Sequence, residues 1–284
     1  MSDLIRTADH AGGAVRLLTL DRPAARNAFD SPLYRATGAA LTAARDDDAV
    51  KVAVLTGAGH AFSAGQDLDE MARLAAGEPI ESGFPVLLEA LESFDKPLVA
   101  AVNGAAVGIG FTLLPHCDLV LVAESARMRT PFAEMGVPPE AASSLLFPAR
   151  MGWQRAAEVL FTSPWLSAAE AVEAGIALRV VPDVDLLDAA LDLASRIAAA
   201  PLPALRAIKA TMLAGRADAV AAARRREEAA FAEILGLAPA GLTSGRARPR
   251  RPPAAAPRRR PAPRPGRPGP PSPRPPPPAP PDRG

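Results

Sequence analysis

A chain of 284 residues that is 49% hydrophobic has apolar material enough for one large core, and its single cysteine, Cys117, excludes an internal disulfide framework and fits a reducing compartment. The net charge of +1 hides two unlike regions: Pro239–Gly284 holds more than half of the 32 prolines and 11 arginines against the one acid Asp282, which leaves about −9 on the body. An acidic body suits nucleic acid poorly, the start Met-Ser-Asp-Leu-Ile-Arg lacks the basic and apolar runs of a secretory leader, and no stretch approaches the roughly 20 apolar residues of a membrane span, so a cytoplasmic protein with no nucleic-acid or membrane partner is expected.

In chain order, apolar runs of strand length fall at Val15–Leu20, Val52–Leu55, Leu98–Val102 and Leu119–Val122, with a shorter one at Val180–Val181. Helical patterns lie between and after them. Ser31–Ala44 sets Leu33, Ala36, Ala40, Leu41 and Ala44 on one face, with Thr37 as a mild interruption, and Asp67–Ala76 does the same with Leu68, Met71, Leu74 and Ala75. Ser167–Ala174 opens on Ser167 with Glu170 three residues on, the spacing of a capping box. Further helices are predicted over Asp185–Ala199 and roughly Leu205–Leu235. Short buried runs alternating with amphipathic helices predict an α/β core with largely parallel strands. The folded domain is expected over residues 1–237 and a disordered or polyproline-like tail over 238–284, where Pro/Arg/Ala low complexity cannot bury a core. So abrupt a switch is also what a shifted reading frame produces in GC-rich DNA.

Two glycine-marked turns follow strands, one over Val52–Leu68 and one over Leu98–Thr112. Each offers unpaired backbone donors beside a small residue, and two such donors converging on one point make an oxyanion hole. Taken singly, either turn is explained more simply as a chain reversal. Gly108-Ile109-Gly110 is no dinucleotide fingerprint, since Leu113 stands where a third glycine belongs. In a third segment, Glu140 follows Pro138-Pro139 and precedes two alanines, where apolar surroundings would raise its pKa toward that of a useful base; taken alone, it reads more simply as a solvated loop or helix-start acid. Glu134 invites the solvated reading more strongly. His116 and Cys117 read as buried structural residues, and His10, His60 and His116 lack metal-ligand spacing.

Together these segments resemble the crotonase (enoyl-CoA hydratase/isomerase) superfamily. The pieces occur in family order: Leu20-Asp-Arg-Pro-Ala-Ala-Arg-Asn-Ala-Phe29, Phe62-Ser-Ala-Gly-Gln-Asp-Leu68, Ala101-Val-Asn-Gly-Ala-Ala-Val-Gly-Ile-Gly110, Cys117-Asp-Leu-Val120, Ser167-Ala-Ala-Glu-Ala-Val-Glu-Ala-Gly-Ile176 and Val180-Val-Pro182. The resemblance implies an α/β, crotonase-like spiral of ββα units with a C-terminal helical region, assembled as homotrimers or dimers of trimers. It implies an acyl-CoA substrate, with no cofactor beyond the coenzyme A the substrate carries. By similarity, the N–H groups of Gln66 and Ile109 would hold the thioester oxygen, and Arg26, Ala28, Ala64, Asp67 and Leu68 would line the CoA moiety. Hydratases of the superfamily use two glutamates, and Thr112 and Phe132 stand at the matching places. The stretch from Thr130 to Pro148 instead resembles the Δ3,Δ2-enoyl-CoA isomerase branch, in which a glutamate matching Glu140 is the single base; Phe132, Leu145, Leu146 and Phe147 would wall its pocket. A hydratase or other acyl-CoA lyase, a non-catalytic acyl-CoA-binding protein, and a tail serving as a polyproline ligand are the competing readings.

Overall fold

The computed structural model describes residues 4–234; the tail expected over 238–284 lies outside them. The chain opens with an antiparallel hairpin, β1 (Ile5–His10) and β2 (Val15–Leu20). Helix α1 (Ser31–Asp46) starts where the Asp30 side chain accepts from the Leu33 amide at 2.8 Å. Its buried face is Leu33, Tyr34, Thr37, Gly38, Leu41 and Ala44, so Thr37 lies within the stripe rather than interrupting it. The Thr37 hydroxyl satisfies itself on the Leu33 carbonyl at 2.8 Å.

The body then repeats a strand–strand–helix unit. The first unit is β3 (Val52–Gly57), β4 (Ala61–Ser63) and α2 (Leu68–Ala75), followed by α3 (Phe84–Ser93). The second is β5 (Leu98–Val102), β6 (Ala105–Val107) and α4 (Ile109–Thr112). The third is β7 (Leu119–Ala123), β8 (Arg127–Arg129) and α5 (Phe132–Met135), after which come α6 (Ser143–Met151) and α7 (Trp153–Thr162). A last turn is made by β9 (Leu166–Ser167), α8 (Ala168–Glu173) and β10 (Arg179–Val181), and three helices close the body: α9 (Leu186–Ala198), α10 (Leu202–Ala214) and α11 (Ala217–Ile234). The Ser167–Glu170 capping box is present as the spacing predicts.

From β3 to β8 successive strands alternate between two sheets, which winds this part of the chain into a spiral. One sheet runs β1-β2-β3-β5-β7-β10 and is parallel except at its β1 edge; the other runs β4-β6-β8-β9, antiparallel only at β9. Every residue of β3 and β5 is buried, as continuous apolar runs in a parallel sheet should be. Helix α9 lies across β2, β3, β5 and β7 and buries Leu186, Ala190, Ala194 and Ala198 at helical spacing. Among the described residues, no single helix is long and apolar enough to cross a membrane.

Two expectations need correction. Leu205–Leu235 is not one helix but α10 and α11, because Gly215 caps the first and the Arg216 guanidinium turns inward to the Pro115 carbonyl at 3.4 and 3.5 Å. The glycine turns do not pass straight from strand to helix; each first contributes a three-residue strand, β4 or β6, to the second sheet.

Candidate active site

The first glycine turn is held by the loop between β2 and α1. Buried Asn27, at φ 55°, donates to the carbonyls of Ala58 (2.9 Å) and Ala61 (2.8 Å) and accepts from the Arg22 amide (3.0 Å). A short ladder extends this join: Ala64 N–H to Arg26 O at 2.9 Å, Phe29 N–H to Gly65 O at 2.7 Å, and Asp67 N–H to Phe29 O at 2.8 Å. Backbone donors alternate in direction along extended chain, so with Gly65 and Asp67 paired to Phe29, the Gln66 N–H points the other way. It has no hydrogen-bond partner among the described residues.

In the second turn, Gly108 sits at φ 50° and ψ −122°, and Ile109 is the first residue of α4. The Phe111 and Thr112 amides return to the Gly108 carbonyl, each at 2.9 Å, whereas the Ile109 N–H is left without a partner among the described residues. The two turns touch. A Cβ on Gly65 would stand 2.6 Å from the Val107 carbonyl oxygen, and one on Gly108 would lie 3.9 Å from both Gly65 Cα and Glu140 Oε1. Three segments far apart in sequence therefore meet where two unpaired amides and one carboxylate are close together.

Glu140 enters from the loop between α5 and α6. The next two residues, Ala141 (φ 55°) and Ala142 (φ 58°), are both left-handed, a conformation that costs an alanine about 1–2 kcal/mol each. Three contacts hold the turn: the Ser143 amide on Glu140 O (2.9 Å), His116 Nε2–H on Ala141 O (2.8 Å), and Glu227 accepting from the Ala142 and Ser144 amides at 2.7 and 2.8 Å. Desolvation first, and the nearby Glu227 charge second, push the Glu140 carboxyl up to about 8. Among the described residues no side chain pairs with that carboxylate, so it is available to a substrate proton.

Tyr34 is buried beside it, stacked on Phe29 with ring centroids 4.8 Å apart, and donates its hydroxyl to Gln66 Oε1 at 2.8 Å. Burial, then the charges of Glu140 and Glu70, raise the Tyr34 pKa well above the ordinary tyrosine value. Glu70 is buried too and accepts from the Ser31 amide (3.0 and 2.9 Å) and hydroxyl (2.9 Å), which ties α2 to α1.

The remaining residues named from sequence fall along one edge of the first turn. Arg26 is exposed at φ 52°, Ala28 is buried with its carbonyl on Arg22 (2.9 Å), and Ala64 is partly buried. Asp67 caps α2 and pairs with Arg22 at 2.6 Å; burial works to raise its pKa, but Arg22 and the α2 amides outweigh this and lower it. Leu68 leaves an apolar side chain 64% exposed, open to a ligand. Thr112 and Phe132 are buried and bring no carboxylate. Phe147 packs on Phe111 with centroids 4.8 Å apart, whereas Leu145 and Leu146 join Ala142, Val220 and Ala223 in a cluster that includes residues of α11. Glu134 is an exposed partner of Arg129. His116 is held near pKa 4 by burial and so is a neutral donor, and burial pushes the Cys117 thiol up to about 12; neither is a nucleophile. Among the described residues, no three His, Cys, Asp or Glu side chains converge as metal ligands.

Sequence reasoning missed Tyr34, Glu70 and Glu227. Tyr34 sits in an ordinary amphipathic pattern, and Glu227 lies within a run of charges, Arg224-Arg225-Arg226-Glu227-Glu228, that looks like a solvated face.

The enoyl-CoA hydratase/isomerase family model matches residues 10–238. The chain is 36% identical over 217 residues to 2,3-dehydroadipyl-CoA hydratase of Escherichia coli (strain K12), covering 76% of this chain and 85% of that protein. It is 40% identical over 176 residues to enoyl-CoA delta isomerase 2 of Rattus norvegicus, covering 60% of this chain and 45% of that longer protein. The crystal structure of an enoyl-CoA hydratase/isomerase from Pseudoalteromonas atlantica T6c superposes with a TM-score of 0.78 at 34% identity, over 83% of this chain and 93% of that one. The chain belongs to the enoyl-CoA hydratase/isomerase family, within the crotonase superfamily.

Proposed function

We propose that the chain is a Δ3,Δ2-enoyl-CoA isomerase with Glu140 as its single base. The observation that carries this reading is the position of Glu140: its Oε1 lies 3.9 Å from where a Cβ on Gly108 would stand, at the meeting of the two glycine turns, and Thr112 and Phe132, which the family resemblance matches to the two hydratase glutamates, are buried and bring no carboxylate.

The ionised Glu140 takes a proton from C2 of a 3-enoyl thioester. Negative charge passes through the dienolate to the thioester oxygen, where the Gln66 and Ile109 N–H groups receive it. The protonated carboxyl then returns the proton at C4, leaving the double bond between C2 and C3 and the base ionised as it began. A carboxyl with a pKa near 8 suits both halves, because it is basic enough to accept the proton and acidic enough to return it. Arg26, Ala28, Ala64, Asp67 and Leu68 border the CoA, which arrives as part of the substrate, and no further cofactor enters the cycle. The enzyme works in the cytoplasm as a homotrimer or dimer of trimers; the exposed apolar surface of Trp153 (76%) and Phe161 (75%) supports a subunit contact.

The test is turnover of 3-enoyl-CoA and 2-enoyl-CoA, assayed separately on the purified full chain and on Glu140→Gln. Isomerisation that depends on Glu140, with little water addition, is the expected result. The likeness to a hydratase at 36% identity favours water addition as a second reading, and hydration that survives Glu140→Gln would establish it in place of the first.

A further inference from the structure

The turn that carries Glu140 is anchored from a distance. Glu227 lies on α11, 85 residues further along the chain, yet both its carboxylate oxygens accept main-chain amides from the base loop, Ala142 at 2.7 Å and Ser144 at 2.8 Å. The side chain is only 6% exposed. Its neighbour Arg224 does not neutralise it, being paired with Glu92 (3.0 Å) and Glu228 (3.3 Å). The charge is met instead by the first amides of α6, where a helix offers unpaired donors and a favourable dipole.

We propose that Glu227 is a positioning residue for Glu140: by clamping the Ala142 and Ser144 amides it fixes the left-handed turn that aims the Glu140 carboxyl at the junction of the two glycine turns. Two consecutive alanines do not hold such a turn unaided, and the clamp grips one peptide from its N–H side while His116 grips the preceding carbonyl. A neutral acceptor would serve for packing alone. A buried carboxylate also sets its charge beside the base, which favours the protonated form of Glu140 and is the second cause of its raised pKa. The other ionisable groups bearing on this corner are Tyr34 from α1, Glu70 from α2, and His116 with Lys209, Arg216 and Arg224 around it.

The proposal takes its significance from the isomerase reading, but its test does not depend on turnover. The full chain is labelled with carbon-13 at its glutamate carboxyls, the Glu140 signal is identified by its loss in Glu140→Gln, and its titration is followed in the native protein, Glu227→Gln and Glu227→Asp. The midpoint is expected to fall in Glu227→Gln and to stay raised in Glu227→Asp, which keeps the charge. With 3-enoyl-CoA, kcat of Glu227→Gln is expected to fall about tenfold or more with KM within about twofold, because the base is misaimed rather than the substrate lost. A folded Glu227→Gln with native midpoint and native kcat overturns the clamp. Should that variant fail to fold, amide hydrogen exchange on the native chain decides: slow exchange at Ala142 and Ser144 supports the clamp, and exchange at the unprotected rate overturns it. A native chain without isomerase turnover whose Glu140 midpoint still falls in Glu227→Gln would keep the clamp and remove the isomerase reading.

Discussion

The Tyr34 hydroxyl donates to Gln66 Oε1 at 2.8 Å, so the residue whose backbone amide is left unpaired among the described residues is held by its own side chain from α1. Tyr34→Phe leaves that oxygen unpaired among buried groups and should cost about 1–2 kcal/mol in chemical denaturation. In steady-state assays kcat should fall by a larger factor than KM rises, because the Gln66 amide, which the proposed isomerase mechanism uses to receive negative charge, is less well placed. An unchanged kcat would mean that the Gln66 backbone is fixed by its ladder to Phe29 alone.

Glu140→Gln removes the proposed base but keeps the shape. Isomerase turnover should drop by about two to four decades, with CoA-ester binding by calorimetry nearly unchanged.

The raised pKa of Glu140 has consequences of known sign. Only the ionised form abstracts a proton, so kcat/KM should climb with pH through about 8 and level off above it. Stability should run the other way. Between the ordinary value of 4.5 and about 8 the folded state holds a proton the unfolded chain has lost, so Glu140 contributes stability that is complete below 4.5 and gone above about 8. The melting temperature of Glu140→Gln should therefore rise relative to the native protein between pH 5 and pH 9.

His116 behaves oppositely. Its folded pKa is lowered from 6.5 to about 4, so the stability it contributes is present above 6.5 and lost as pH falls toward 4. His116→Gln, which can donate to the Ala141 carbonyl at any pH, should flatten acid unfolding in that window. Equal slopes for the two proteins would show that the Ala141 contact does not constrain the ring.

Gly65→Ala would place a methyl 2.6 Å from the Val107 carbonyl at φ 91°, forcing the two glycine turns apart. A stability loss of about 1–3 kcal/mol and loss of the proposed isomerase activity are expected, the latter because in that mechanism both amides must meet one oxygen. A crystal structure of the variant with the turns still in contact would refute this.

Five strands of the six-stranded sheet can be read from sequence, since runs such as Val52–Leu55 and Leu98–Val102 are unbroken, apolar and flanked by helical periodicity, whereas the edge strand β1 fully buries no residue and shows no apolar run. The second sheet cannot, since strands of two or three residues such as β9 and β4 are too short to show an alternation. Glu140 is legible from its stiff, apolar flanks, and the two turns from their glycines. Glu227 is not, because what buries it is the need of α6 amides for an acceptor, a demand made 85 residues away that no local pattern records. Tyr34 is hidden for a related reason: its spacing marks it as core, and only the approach of the Gln66 loop gives its hydroxyl a task.

The reach of α11 back to the base loop also sets an order of events during synthesis. Because residue 227 supplies the acceptor for the Ala142 and Ser144 amides, a growing polypeptide can lay down both glycine turns and the base itself and still lack the brace that seats them. On the clamp proposed above, competence arrives late, once α11 has cleared the ribosome, and fragments that end before residue 227 are expected to leave acyl thioesters untouched.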